Sequence, residues 1–231
     1  MKKVVIPDCA PRRLTFFLSV EEYLAQGVGE DLFFTWQSPP TVICGRNQII
    51  ENEVNLEYCR EHAIEVVRRK SGGGCVYSDA GNVMLSYITP ERGVEEVFAR
   101  FLDMVAGALG DLGFDAVTTA HNDILVSDRK VSGNACFALP GATIVHGTML
   151  YDLDFDALEK ATTPSQEKLS KHGVQSVRQR VVNLKSLGLQ MDAAGLRRYF
   201  EEKFCDGELK LTADDIEKIV KFENLWKRIS N

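Results

Sequence analysis

The sequence predicts an α+β fold of largely antiparallel strands with helices at both ends. Three observations carry that expectation. β-Branched and aromatic runs crowd the middle of the chain, helix-period apolar stripes dominate its C-terminal third, and the two kinds of element never settle into the regular βα alternation of a doubly wound sheet.

Taken in order, Ser19 to Ala25 reads as a short helix. Leu32 to Gln37 and Thr41 to Cys44 read as strands flanking a Ser38-Pro39-Pro40 turn. Asn55 to Ala63 predicts a helix and Ile64 to Val67 a strand. After the glycines at 72–74, strands are expected over Cys75–Tyr77 and Val83–Ile88. Val94, Val97, Phe98, Phe101, Leu102, Val105, Leu109 and Leu112 recur at three- and four-residue spacing, the stripe of a core-facing helix. Ile124–Val126, Val131–Ala135 and Ala142–Leu150 then predict an antiparallel meander, turning at Ser127-Asp128-Arg129 and at Leu139-Pro140-Gly141. Helices follow over Phe155–Ala161, Ala193–Phe204 and Asp214–Ile229. Thr212 is the expected N-cap of the last, with Asp214 and Asp215 favourable in its first turn.

Composition narrows the class. The 231 residues are 45% hydrophobic and 26% charged, the balance of a globular chain with a real core. No apolar run approaches the ~20 residues of a spanning helix, and the first eight residues turn polar too soon for a secretory signal. A net charge of −6 argues against broad nucleic-acid binding. Six cysteines without a C-x-x-C spacing read as reduced cytosolic thiols, so the cytoplasm is the expected compartment. The four histidines lack zinc-protease spacing, and no zinc is expected.

The most informative stretch is Arg68-Arg69-Lys70-Ser71-Gly72-Gly73-Gly74-Cys75-Val76-Tyr77-Ser78-Asp79-Ala80-Gly81-Asn82. Three glycines between strand-like runs let an anion lie directly on main-chain N–H groups, and the basic residues add charge beside them. It is not a Walker A loop, which needs Gly-Lys-Ser/Thr, and Tyr77 stands where the last glycine of a Rossmann pattern would be. A second segment runs from Asn122-Asp123-Ile124 to Lys130-Val131-Ser132-Gly133-Asn134-Ala135. It opens a strand of small residues with a lysine, and Asp123 is a candidate magnesium ligand. A third, Val145-His146-Gly147-Thr148-Met149-Leu150, puts an imidazole at the head of an apolar strand.

In this order the three segments resemble the lipoate–protein ligase A family, of the same superfamily as octanoyl transferases and biotin–protein ligases. Ser19–Leu24, Ile43–Gln48 and Ser176–Leu184 add to the likeness, which runs roughly from Leu14 to Trp226. The resemblance implies a biotin/lipoate ligase-like catalytic domain with mixed, largely antiparallel sheets flanked by helices, occupying residues 1–231 as a single domain. It implies ATP and Mg2+ with lipoate as substrate, formation of lipoyl-AMP, and transfer of the lipoyl group to a lysine of an acceptor lipoyl domain. Acceptors would be the lipoyl domains of 2-oxoacid dehydrogenase complexes or the glycine cleavage H protein, with neither nucleic acid nor membrane as partner. Lys130 would be the central catalytic residue. Arg69, Ser71, Gly72, Gly73 and Gly74 would line the acyl and adenylate pocket, with Val76, Tyr77, Ser78 and Asn82 along the nucleotide. Asp123 would lie near the metal and phosphates, and His146, Gly147 and Thr148 would border the same cleft.

Two departures from the family are visible. The position of Ser78 is commonly His. The sequence also ends soon after Trp226, so the small C-terminal domain of full-length bacterial ligases is expected to be absent, and a separate accessory-domain protein becomes a conceivable partner. A lipoyl or octanoyl transferase without its own adenylation activity is the alternative reading; a non-catalytic lipoate- or nucleotide-binding protein is a further one. Leu18, Val42, Cys44 and Val76 are candidates for the acyl slot. Arg68, Arg69, Lys70, Arg178 and Arg180 are candidates for a basic docking face. Cys75 and Cys136 are expected to pack rather than act as nucleophiles.

Overall fold

The fold was analysed in a computed structural model, which describes residues 1–7, 11–91, 93–162 and 180–226. An eight-stranded sheet runs in the order β11-β1-β2-β6-β10-β9-β8-β7. Its strands are β1 (Lys2–Val5), β2 (Leu32–Trp36), β6 (Asn82–Thr89), β7 (Ala116–Thr118), β8 (Asp123–Val126), β9 (Arg129–Leu139), β10 (Ala142–Leu150) and β11 (Gly207–Lys210). A smaller sheet, β4-β3-β5, is built from β3 (Thr41–Cys44), β4 (Glu65–Arg68) and β5 (Val76–Ser78). Only β1 with β11, β1 with β2, and β3 with β4 pair in parallel among the described strands.

Side-chain alternation explains how the large sheet holds helices on both faces. Val83, Leu85 and Tyr87 of β6 join the core beneath α3 (Val94–Asp111) and α5 (Ala193–Phe204). Met84 and Ile88 face the opposite core, built with α1 (Leu14–Ala25) and α6 (Ala213–Glu223). Strands buried on both faces read as continuous apolar runs, as Leu32–Trp36 does. A third core lies between the small sheet, α2 (Leu56–Glu61) and α4 (Phe155–Ala161).

Locally signalled elements fall where the sequence predicts them. β10, α4 and α5 match residue for residue, and α6 begins with a capping box between Thr212 and Asp215. Ser127 and Asp128 both adopt positive φ, the backbone a two-residue hairpin needs, and Gly141 does the same at the next turn. Other expectations need correction. The first helix starts at Leu14 rather than Ser19, because residues 14–22 are buried all round and show no amphipathic period. The second meander strand continues to Leu139, and α6 ends at Glu223; residues 227–229 lie outside the described set. β1, β7 and β11, which the sequence did not signal, are short strands, and β1 and β11 gain their identity from each other through parallel pairing. Among the described residues, no helix is long and apolar enough to cross a membrane.

Candidate active site

The two sheets, α1 and the glycine loop enclose a cleft of two joined chambers. The first, about 200 Å3, has apolar walls from Leu14, Leu18, Trp36, Ile43 and Met84. The second, about 470 Å3, is bordered by Cys75, Tyr77, Leu125, Leu150, Leu153 and Arg180 among others. Val76, Asp123, Lys130, Gly133 and Thr148 belong to both chambers and mark the junction.

Lys130 owes its place there to a β-bulge. Leaving the Ser127-Asp128 turn, Val126 pairs with Arg129 and Leu125 with Lys130, but Ile124 then pairs with Ser132 and Asp123 with Gly133. Val131 is the extra residue, and it enters the core fully buried. Without the bulge, Leu125 would face Val131 and Lys130 would point to the opposite side of the sheet. With it, Lys130 shares the face of Asp123, and its Nζ lies 2.7 Å from Asp123 Oδ1. The small residues after Lys130 serve the lysine itself: a Cβ at Gly133 would stand 2.7 Å from its Nζ.

The glycine loop presents amides because Arg69 takes its carbonyls. The Arg69 guanidinium donates to Gly72 O twice, at 2.7 and 3.1 Å, to Gly74 O at 2.9 Å and to Ile43 O at 3.0 Å. The N–H groups of Gly72, Gly73 and Gly74 make no hydrogen bond among the described residues. Arg69 is 7% exposed and its recorded partners are carbonyls rather than carboxylates; burial alone pushes its pKa downward. A buried cation and unbonded amides therefore sit together at a cavity wall, a combination that favours an anion. Gly45 admits the loop, since a Cβ there would lie 1.9 Å from Gly73 O.

The structure brings Lys130, Arg69, Gly73, Gly74, Val76, Asp123, His146, Gly147 and Thr148 to the first chamber and Tyr77 to the second. Ser71 and Gly72 shape the loop from behind: Ser71 Oγ lies 2.8 Å from His146 Nε2, and its carbonyl accepts from Arg46 N at 3.0 Å. Ser78 and Asn82 reach neither chamber. Both are fully buried and hydrogen-bond the sulfur of Met84, which stands between them and the cleft.

Of the slot candidates, Leu18 and Val76 line the cleft, whereas Val42 and Cys44 do not. They sit on the opposite face of β3, in the core with α2 and α4, and Ile43 between them faces the cleft instead. Trp36, Ile43, Met84, Asn134 and Glu21 escaped the sequence reading. Period-2 alternation marks the four strand residues only once each strand's cleft-facing side is known, and Glu21 lies on α1, where burial all round leaves no period to read.

The basic docking face is not assembled as expected. Arg68 binds the carbonyls of Gly45, Arg46 and Gln48, Arg69 is buried, and Lys70 pairs with Glu22 and lies 5.5 Å over Trp226. Arg180 borders the second chamber, and Arg178 lies outside the described residues. Cys136 is half-buried and burial pushes its thiol up to about 11. Cys75 and Cys44 share a hydrogen bond that, with the nearby Arg68 and Arg69, lowers the Cys44 thiol; the same hydrogen bond and burial raise that of Cys75. For a metal, the described residues contain no group of three or more His, Cys, Asp or Glu side chains.

Fold and cleft together define a class: an α+β catalytic-domain scaffold in which an apolar slot opens onto an anion cradle. The chain belongs to the lipoyl protein ligase A/B catalytic domain family, which it matches over residues 14–205. It is 36% identical over 219 residues to lipoate–protein ligase 1 of Staphylococcus aureus, covering 91% of this chain and 66% of that protein. Across similar curated relatives it spans from 38% to 66% of their length. It is also similar in fold to a bi-partite lipoate protein ligase studied with its E2 lipoyl domain from Thermoplasma acidophilum. That match has a TM-score of 0.84 at 24% identity, covering 97% of this chain and 92% of that one. A lipoate-protein ligase A bound with ATP gives a TM-score of 0.82 at 23% identity, over 97% and 94% of the two chains.

Proposed function

We propose that residues 1–231 act as a single catalytic domain that activates lipoate with ATP and passes the lipoyl group to a lysine of an acceptor lipoyl domain. The observation carrying this reading is the cleft: Lys130 stands where an apolar slot joins a larger chamber, with the buried Arg69 and the unbonded amides of the glycine loop on the wall of the slot. Family membership and the lipoate–protein ligases among its relatives support the same chemistry.

The smaller chamber suits an acyl chain. Five methylenes buried at ~0.8 kcal/mol each contribute roughly 4 kcal/mol, enough to select fatty-type acids without discriminating finely among them. The larger chamber, with Tyr77 on its wall, takes the nucleotide. The carboxylate attacks the α-phosphate and expels pyrophosphate; the acceptor amine then attacks the acyl carbonyl and expels AMP. Both steps build negative charge on neighbouring oxygens. Lys130 and the amides of Gly73 and Gly74 are held to meet it, which costs less reorganisation than water would. His146, Gly147 and Thr148 wall the acyl side. Ser71 and Gly72 keep the loop in shape, and Ser78 and Asn82 act only indirectly, by holding Met84 against the acyl chamber. Asp123 is the carboxylate that would meet a Mg2+ carried on the nucleotide's phosphates, where the metal would neutralise phosphate charge.

Acceptors are lipoyl domains of 2-oxoacid dehydrogenase complexes or the glycine cleavage H protein, and the working compartment is the cytoplasm. One observation favours a second reading, transfer from a preformed lipoyl or octanoyl donor: the Thermoplasma ligase this fold covers at 92% is bi-partite. Pyrophosphate exchange into ATP separates the two. Exchange that depends on lipoate supports the ligase; a mass shift on the acceptor from lipoyl-AMP alone, without exchange even when a separate accessory protein is added, supports the transferase.

A further inference from the structure

Behind the cleft, Glu21 of α1 lies 1% exposed between two strands of the large sheet. His146 of β10 and Ser86 of β6 are cross-strand partners on the face that meets α1. The Glu21 carboxylate bridges them: Oε1 accepts from Ser86 Oγ at 2.5 Å, and Oε2 lies 2.9 Å from His146 Nδ1. Ser86 Oγ in turn accepts from Trp36 Nε1 at 2.8 Å. An indole N–H can only donate, so the hydroxyl of Ser86 must give its own proton to Glu21. At the other end, His146 Nε2 meets Ser71 Oγ at 2.8 Å. One buried carboxylate thus ties together Trp36 and His146, both walls of the apolar chamber, and Ser71, the residue opening the glycine run.

We propose that Glu21 is a positioning residue, holding a proton on His146 Nδ1 and thereby fixing Ser71 and the glycine loop before substrate arrives. A carboxylate in this place accepts from both neighbours and needs no rearrangement when a ligand enters. An amide of the same shape cannot accept from both: its NH2 must face either Ser86 or the ring. Facing the ring, it drives the proton from Nδ1 to Nε2, which then donates to Ser71 and turns the serine hydroxyl elsewhere. The effect on turnover rests on the function proposed above; the position of the ring proton does not.

Two measurements on the full chain test this. In protein labelled with 15N-histidine, the ring signals of His146 are assigned by their loss in His146→Gln. Wild type is expected to carry the proton on Nδ1, and Glu21→Gln to move it to Nε2. In parallel, Glu21→Gln is expected to lower kcat of lipoate-dependent adenylate formation about tenfold, the scale of one hydrogen bond to a charged group, with KM for ATP unchanged. A wild-type ring with a bare Nδ1 overturns the inference, and so does a Glu21→Gln protein with wild-type kcat. If Glu21→Gln fails to fold, Ser71→Ala replaces it: the same fall in kcat with Nδ1 still protonated is expected, and unchanged kcat overturns the inference. Wild-type protein that forms no lipoyl adenylate would count against the proposed function and leave the ring measurement standing.

Discussion

Lys130 lies across Gly133: a Cβ at position 133 would come within 2.7 Å of both Cε and Nζ of the lysine. The obstructed group is the far end of a flexible side chain, not backbone. Gly133→Ala is therefore expected to keep the fold and displace the ammonium, lowering acyl transfer roughly 10²-fold, as an ångström-scale misplacement does. An unchanged urea midpoint beside an unchanged transfer rate would refute it.

Removing the ammonium itself should act more strongly. Lys130→Ala is expected to lose ~3–4 kcal/mol of transition-state stabilisation, with no compensating loss of fold. Lys130→Arg should not restore activity, because a rigid planar fork cannot follow the charge through both steps as a compact ammonium can. The mass shift on a purified acceptor measures both variants.

Arg69 should behave as a stability residue as well as a site residue. Arg69→Ala leaves the carbonyls of Ile43, Gly72 and Gly74 without their donor, at a cost of ~1–3 kcal/mol for a buried polar group left unpaired. Arg69→Lys should recover little, since three rotating donors do not match the fork. A lower urea midpoint at constant m-value is the expected readout.

Cys136 is expected to be dispensable. Its thiol sits near 11 through burial, so thiolate is scarce at neutral pH and grows only as pH climbs toward that value. Cys136→Ala should transfer the acyl group at close to wild-type rate, and mass spectrometry should find no acyl adduct on this residue in a stalled reaction.

Acid should loosen α6 through Asp215. The hydroxyl of Tyr23, then the backbone and side chain of Thr212, hold its carboxyl down at about 2. A depressed carboxyl stabilises the folded state above the ordinary aspartate range, and the contribution fades as pH falls from about 4 toward that lowered value. Asp215→Asn should remove this acid-dependent part of the unfolding curve. An identical pH dependence in variant and wild type would show that the contact with α1 contributes nothing.

Much of the fold was legible because its signals are local. The stripe from Val94 to Leu112 needs only helical period, the Thr212–Asp215 capping box only three residues' spacing, and the Ser127-Asp128 and Pro140-Gly141 turns only their own backbone preferences. The segments holding Lys130, the glycine run and His146 were legible as well, since their residue types are unusual for strands and turns. Helix α1 was cut short and β1 and β11 were missed because burial on every side erases periodicity, and a short strand exists only by virtue of its partner.

The sequence by itself singled out the segments proposed to carry the chemistry and the local elements that hold them. Tertiary structure decided where those side chains aim. Pairing across β8 and β9 slips by one residue at Val131 and carries Lys130 to the cleft face; β3 turns Ile43 toward the cleft and Val42 away. Glu21, one of two adjacent glutamates on α1, becomes the bridge between His146 and Ser86 only because β10 and β6 pair in that register beneath it. A strand shows its two faces with a period of two, so orientation is set by register and by what packs above, and neither is written in the residues nearby.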